Sequence, residues 1–558
     1  MPDTSLRVIT SLALALGIIA CGGGGGSALE LPTRSNPETN GGSDNGSNDD
    51  VTPTEPLAHC EDSGGSDGDG FFRNVTPDLG LCYDGTLPDS DPTEAEETAG
   101  GLALADIDND GHPELYVAHG HTTPGRLFSF DGERFVERAD HGIELLSIDL
   151  AGYFIDIDVD GFKDFVSVQH EGVEVFRNDG TGIFSEWTAA TGIDNRTATW
   201  SMAAADYDVD GDLDLFFSHW GTGMTGGETE YLWNNNGEGV FTDLSTKVPI
   251  KVTENNRDVE SEYSFTPTFA DFNSDGYPDL LIASDWGASQ VIQNIDGETF
   301  IDLTTDVISD ENGMGSAVAD YDRDGDLDWF VSSIWAPGQP TNDSGNRLYR
   351  NMDGQGTFED VTDEAGVREG DWGWGSCFAD FDNDGHVDLF HTNGFLEPPS
   401  VFHHDPSRLF MSNGDGTFTE RAEELGITHD AHGRGIICTD YNDDGKVDIF
   451  IANNGTSPTV FMNNHQNDNH YVSIDLAGVG ANPEAIGARV TVTTASGSQI
   501  DEVRLGTAYL SQGPATLHFG LGEDDSILSI DVSWPGPGQP ISRVEMIDVD
   551  QRLTLTHP

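Results

Sequence analysis

Asp320-Tyr321-Asp322-Arg323-Asp324-Gly325-Asp326-Leu327-Asp328 sets oxygen donors at alternate positions, then a glycine, then a last carboxylate. Such a pattern wraps a hard cation. Ca²⁺ takes about six to eight oxygen ligands at about 2.3–2.6 Å, and the glycine permits the sharp turn between them. The pattern occurs seven times. Its donors are Asp106, Asp108, Asp110 and Glu114; Asp156, Asp158, Asp160 and Asp164; Asp206, Asp208, Asp210 and Asp214; Asp271, Asn273, Asp275 and Asp279; Asp320, Asp322, Asp324 and Asp328; Asp380, Asp382, Asp384 and Asp388; and Asp440, Asn442, Asp444 and Asp448. Successive first residues lie 50, 50, 65, 49, 60 and 60 positions apart. One copy would be a weak signal. Seven in register, each between apolar runs, predict a repeat architecture with about seven Ca²⁺ sites.

The flanking runs read as strands. Small residues enter each loop, as in Gly315-Ser316-Ala317-Val318-Ala319, and suit a crowded inner strand. Large apolar residues leave it, as in Leu327 and Trp329-Phe330-Val331, and suit packing between neighbouring sheets. A second signature follows, as in Phe176-Arg177-Asn178-Asp179-Gly180-Thr181-Gly182-Ile183-Phe184 and Tyr349-Arg350-Asn351-Met352-Asp353-Gly354-Gln355-Gly356-Thr357-Phe358. Asn, Asp and Gly tolerate positive φ, so this is a hairpin turn between two outer strands. Four strands per unit and seven units predict an all-β, seven-bladed β-propeller over residues 58–465. The seventh unit lacks its outer half, and a matching half, Gly68-Asp69-Gly70-Phe71-Phe72-Arg73, precedes the first loop. The N-terminal segment is expected to supply the last blade's outer strand and so to close the ring.

Net charge is −76, from 100 acidic and 24 basic residues. That balance disfavours nucleic acid, which needs clustered Lys and Arg. Seven divalent cations would leave about −62, so the loops explain only part of the acidity. At the N-terminus, Arg7 and the apolar run from Val8 to Ala20 read as a targeting segment, residues 1–20. Ile18-Ile19-Ala20-Cys21 resembles a bacterial lipobox, which implies cleavage before Cys21 and a lipid on its thiol. Residues 21–57 read as a flexible Gly/Ser/Asp-rich tether. The chain is then expected in the bacterial cell envelope as an outer-membrane or surface lipoprotein, or secreted. In an exported chain Cys60 and Cys82 are open to pairing. Cys377 and Cys438 lie three and two residues before their loops. That offset puts them on opposite strand faces, and they are expected not to pair.

The loops and turns resemble the FG-GAP/VCBS repeat family, the propeller class of the integrin α-subunit head, over roughly residues 66–463. From about His470 the pattern changes to alternating apolar and polar residues, which predicts a small β-sandwich-like domain over 466–558. Ile486-Gly487-Ala488-Arg489-Val490-Thr491-Val492, Phe519-Gly520-Leu521-Gly522 and Val532-Ser533-Trp534-Pro535 resemble the ASPIC/UnbV module. Repeats and module in this order resemble the cartilage acidic protein family and its bacterial relatives. Arg489 and Arg504 read either as functional groups or as surface residues with carboxylate partners.

Seven equivalent acidic sets argue for structural metals rather than a catalytic carboxylate pair, which is singular. No nucleophile elbow, zincin motif or phosphate loop is present. At the propeller face opposite the loops, Trp200, Trp372, Trp374, His432 and Arg434 enter the strands, and His119, His170, His219, Trp220, Asp285, Trp286, Trp335, His391 and Asn393 leave them. This set, above all Trp200, Trp220, Trp286, Trp335, Trp374 and Arg434, reads either as a face for a protein or glycan ligand or as rim packing. A histidine cluster could hold a transition metal, although adjacent His403 and His404 would point to opposite faces of a strand. The expected function is a Ca²⁺-binding, cell-surface adhesion module without enzymatic activity. The alternative is a lyase-like enzyme on acidic polysaccharide, drawing on Lys247, Lys251 and Arg257 in the longest inter-loop insertion.

Overall fold

The computed structural model describes residues 70–83, 93–118, 120, 125–145, 147–194, 198–221, 231–254, 260–336, 344–395 and 402–558. The targeting segment, Cys21, the tether, Cys60, His119 and Arg257 lie outside the described residues. No helix among the described residues is long and apolar enough to cross a membrane.

Each acidic loop joins the first two strands of a four-stranded antiparallel blade, and in blade 1 a fifth strand, Ser511–Gln512, adds in parallel to Leu102–Ala105. Blade 1 is Leu102–Ala105, Glu114–Val117, Arg126–Phe130 and Phe135–Glu137; blade 2 is Asp149–Ile155, Asp164–Gln169, Gly172–Asn178 and Phe184–Glu186. Blade 3 is Thr199–Ala205, Asp214–His219, Leu232–Asn234 and Thr242–Asp243; blade 4 is Ser264–Ala270, Asp279–Ser284, Gln290–Ile295 and Thr299–Asp302. Blade 5 is Ser316–Ala319, Asp328–Val331, Arg347–Asn351 and Phe358–Asp360; blade 6 is Gly373–Ala379, Asp388–Asn393, Arg408–Ser412 and Phe418–Glu420. Blade 7 is Gly433–Thr439, Asp448–Asn453, Thr459–Asn463 and, from the far end of the chain, Phe72–Asn74. Phe72 pairs Asn463 and Asn74 pairs Phe461, so the N-terminal strand closes the ring as the sequence predicts. First strands of successive blades pack against one another all the way round, the seventh against the first.

Residue size explains the layering. Ala103, Ala105, Ala203, Ala205, Ala317 and Ala319 keep the inner strands close, while Tyr116, Phe154, Phe165 and Phe176 fill the wedge between blades 1 and 2. The phenylalanine ending each turn signature (Phe135, Phe184, Phe300, Phe358 and Phe418) is buried and pins the outer strand. Each such burial contributes roughly 1.5–3 kcal/mol.

The asparagine of the turn signature does more than bend the chain. Nδ2 of Asn178, Asn235, Asn294, Asn351 and Asn463 donates to the backbone carbonyls of Ile107, Ile157, Tyr207, Phe272 and Phe381 at 2.7 to 3.1 Å. Each of those carbonyls belongs to the acidic loop of the preceding blade. In blade 6 Ser412 holds the equivalent place, its N–H reaching Asp388.

Cys377 and Cys438 form a disulfide, with Cα atoms 6.6 Å apart, against the expectation that they stay apart. They sit on the first strands of blades 6 and 7. Stacked sheets present opposite faces to each other, so residues of opposite parity meet across the gap.

The C-terminal domain is two packed sheets. One orders Leu517–Gly522, His470–Ala477 and Gln551–Thr556; the other orders Ser498–Glu502, Arg489–Thr493, Ile527–Ser533 and Ile541–Ile547. It caps the loop face of the propeller. Arg489 donates to Ser274 Oγ at 2.5 Å and to the Asp271 carbonyl, and pairs with Glu502 at 3.2 Å. Arg504 pairs with Asp501 at 2.6 Å and donates to the Val318 carbonyl at 2.9 Å, His518 Nε2 lies 2.7 Å from Asn383 Oδ1, and Arg552 pairs with Asp443 at 2.7 Å. Both singled-out arginines therefore have carboxylate partners and join the two domains.

Replacing Asn294 with alanine removes the bond to Tyr207 and leaves that carbonyl buried and unpaired. The expected loss is about 1–3 kcal/mol in urea unfolding; a loss under about 0.5 kcal/mol would show that the inter-blade bond is not a stabilising element.

Candidate metal loops and the sealed channel

All seven loops take one conformation. The first aspartate accepts a hydrogen bond from the loop glycine N–H at 2.8 to 3.1 Å. From blade 2 to blade 7 the last carboxylate accepts the N–H of a third-strand residue, or its neighbour, at 2.7 to 2.9 Å. In blade 1 Glu114 accepts from Ile107 N at 3.1 Å. The glycine lies at φ between 84 and 106°, and a Cβ on Gly111, Gly161, Gly211 or Gly325 would touch nothing within 4 Å, so the demand for glycine there is conformational rather than spatial. The residue before the third donor is also left-handed, at φ 55 to 62°, even where it is Val159 or Val209. A β-branched residue there carries strain on the order of 1–3 kcal/mol, so loop geometry overrides residue preference.

The donors converge. Three carboxylate oxygens lie within 4.8 Å of one another in the sets Asp106/Asp108/Glu114, Asp156/Asp158/Asp164, Asp206/Asp208/Asp210, Asp320/Asp322/Asp328 and Asp380/Asp382/Asp388. Loops 4 and 7 substitute the amide oxygens of Asn273 and Asn442 at the second position. Burial pushes Glu114, Asp206 and Asp320 up to about 7 and Asp164 up to about 8, and holds Asp214, Asp279, Asp328, Asp388 and Asp448 well above the usual carboxylate range. Every loop keeps at least one buried carboxylate oxygen without a hydrogen-bond partner: Asp108 Oδ1, Asp158 Oδ1, Asp208 Oδ1 with Asp212 Oδ1, Asp279 Oδ2, Asp320 Oδ1, Asp382 Oδ1 and Asp448 Oδ2. Buried oxygens are rarely left unpaired. An all-oxygen donor set with an orphan acid oxygen fits a hard cation, and these clusters can hold one.

At the opposite face the structure shows rim packing, one of the two readings the sequence left open. Trp200, Trp220, Trp374 and Arg434 are buried, and Trp286 and Trp335 are half-buried. A tongue of the C-terminal domain, residues 503–513, fills the central channel and packs against Trp200 and Trp374. Ala204 N donates to Leu505 O at 3.2 Å, Ser316 N to Ala508 O at 3.1 Å and Leu102 N to Leu510 O at 3.2 Å. The Gln512 amide brackets the backbone of Phe154 at 2.6 and 2.8 Å. Tyr509 stands among Trp200, Phe265 and Trp374; its hydroxyl accepts from Trp200 Nε1 at 3.2 Å and donates to the Thr98 carbonyl at 3.1 Å. Arg434 lies 4.2 Å from the Trp374 ring centroid and donates to the carbonyls of Glu97, Gly394 and Gly433. The helix Glu94–Thr98 is thereby held over the channel end. A Cβ on Gly435 would meet Ser511 Oγ at 2.2 Å, so the wall is shaped around the tongue.

Of the other residues named on that rim, His219, Asp285, His391 and Asn393 are buried. In the insertion, Lys247 Nζ donates to Tyr207 Oη at 3.1 Å and Lys251 Nζ to the Gly287 carbonyl at 2.7 Å, so both amines serve local structure.

Models of the FG-GAP-like repeat match residues 156–217, 271–331 and 334–391, each running from one blade into the next, and the ASPIC and UnbV model matches residues 478–558. The chain carries FG-GAP-like repeats and an ASPIC/UnbV domain. It is homologous to cartilage acidic protein 1: the human protein is 24% identical over 519 residues, 84% of this chain and 73% of the relative, and the mouse protein 24% over 547 residues, 88% and 78%. Among solved structures, an Agrocybe aegerita lectin that recognises non-reducing terminal N-acetylglucosamine superposes with TM-score 0.38 at 16% identity, covering 64% of this chain and 86% of the lectin. The BP39L lectin of Burkholderia pseudomallei superposes with TM-score 0.41 at 10% identity, covering 66% and 97%. The strand His470–Ala477, just before the ASPIC/UnbV match, is the centre of that domain's three-stranded sheet.

Two outcomes follow from this geometry. Tyr509→Ala empties the aromatic box and unpairs Trp200 Nε1, so urea unfolding should lose about 3–5 kcal/mol; a loss below about 1 kcal/mol would mean the tongue does not brace the ring. In chelator, the raised loop carboxylates bind more protons folded than unfolded. Their contribution is intact below the unfolded value of about 4 and is lost as pH rises through the folded values of about 7 to 8. The urea midpoint of chelated protein should therefore fall between pH 5 and 8, and a midpoint that rises across that window would contradict it.

Proposed function

We propose that this protein is an exported, Ca²⁺-stabilised binding module, tethered at the cell surface through a lipid on Cys21, that engages a protein or glycan in adhesion or matrix contact. The observation that carries the reading is the orphan buried carboxylate oxygen repeated in all seven loops. Asp320, Asp322, Asp324 and Asp328, and their equivalents, would hold Ca²⁺, with the repulsion among them offset by the ion. Oxygen-ligand sites on extracellular modules suit millimolar Ca²⁺ outside the cell. The loops stiffen the scaffold, and the tongue seals its axis, so ligand contact falls to the outer surfaces of the blades and of the ASPIC/UnbV domain.

The deciding experiment is thermal unfolding of residues 58–558 in Ca²⁺, Mg²⁺ and chelator, with bound metal counted. About seven Ca²⁺ ions and a Ca²⁺-specific rise are expected, since a ligand at 100 times its Kd adds about 2.7 kcal/mol per site. Asp324→Ala should bind one ion fewer and melt lower in Ca²⁺ but not in chelator. Identical melting in Ca²⁺ and chelator would overturn the reading. The anchor is tested separately, by fatty-acid labelling that Cys21→Ser should abolish.

A further inference from the structure

A second kind of metal donor gathers where blades 6 and 7 meet, on the face away from the acidic loops. His403 lies in the turn after blade 6's second strand, and His432 immediately precedes blade 7's first strand. His403 Nδ1 and His432 Nε2 are 3.2 Å apart. Two Zn–N bonds of about 2.0–2.1 Å at a tetrahedral angle separate their nitrogens by about 3.3–3.4 Å, so the pair already stands at chelating distance. Both residues are held in place. The Phe402 ring packs edge-on against Trp372 at 5.2 Å, fixing the His403 turn, and the His432 carbonyl accepts from Asn454 N at 2.8 Å.

Two exposed donors lie beside this pair. The His404 ring centroid is 4.6 Å from that of His403, and His404 Nδ1 is 3.9 Å from Asp430 Oδ2. Their side chains are 74% and 69% exposed, so both are free to turn toward an ion between the two fixed nitrogens. His403 and His404 lie in a turn rather than a strand, which removes the opposite-face objection that adjacent residues in a strand would raise.

We propose that His403 and His432, completed by His404 and Asp430, form a site for a divalent transition ion of the imidazole-seeking class, Zn²⁺ foremost, that ties blade 6 to blade 7. Imidazole nitrogen suits this class, while Ca²⁺ takes hard oxygen donors, so the site and the acidic loops select different ions. Without metal, His432 Nε2–H donates to the His403 carbonyl at 3.0 Å. Metal binding keeps His432 neutral and requires its proton on Nδ1, leaving Nε2 as the ligand. The Arg434 guanidinium is directed at the carbonyls of Glu97, Gly394 and Gly433 and the Trp374 ring.

The test is calorimetric titration of Zn²⁺ into the protein in millimolar Ca²⁺, with X-ray absorption of the zinc-loaded sample. One tight Zn²⁺ with two or more imidazole ligands is expected. His403→Gln and His432→Gln should each weaken it about 100-fold or more, and His557→Gln should leave it unchanged. No tight Zn²⁺, an oxygen-only shell, or unchanged affinity in His432→Gln would overturn the proposal. Should either variant fail to fold, the absorption spectrum of the unsubstituted protein decides alone. The Ca²⁺ reading stands or falls separately, on melting in Ca²⁺ against chelator without Zn²⁺.

Discussion

Burying like charges in one small loop is costly, and this chain does it seven times. Each loop gathers its carboxylates against the inner end of a blade, where burial holds the innermost of them far above its ordinary pKa. Backbone N–H groups hold the first and last carboxylates of each loop, at least one buried oxygen per loop stays unpaired, and the left-handed positions at Val159 and Val209 show how firmly that arrangement is imposed. The unpaired oxygen and its neighbours form a donor set that could hold a cation. Because the loop also presents a carbonyl to the next blade's asparagine, the acidic loop is part of the ring's lateral packing.

The C-terminal domain turns that ring into one closed unit. Its arginines grip the loop face, and its tongue runs down the channel to the aromatic cluster beneath the Glu94–Thr98 helix. Ala508 and Leu510 accept φ of 67 and 52° there, a conformation that only the surrounding packing sustains. A propeller channel is ordinarily free to take a ligand. Here the polypeptide itself fills it.

Much of this was legible in order along the chain. Alternate oxygens before Gly325, small residues entering and large residues leaving, and the split seventh unit are local signals, because strand period, turn chemistry and ligand spacing are set by near neighbours. The same locality hid the bond of Asn178 to Ile107: the asparagine recurs at a fixed place in each turn, and spacing alone suggested only a residue tolerant of positive φ.

The sequence by itself determined the seven blades, the strand that closes them, the cation-ready loops and the presence of a second β domain, since each depends on periodicity within a few tens of residues. Tertiary structure alone decided the Cys377–Cys438 bridge, the burial of Trp200, Trp374 and Arg434, and the meeting of His403 with His432. Each of these depends on how one sheet faces the next or on where a tongue more than 300 residues away along the chain comes to rest. Parity within a strand says nothing about which face a neighbouring blade presents, and the composition of a rim says nothing about what will cover it.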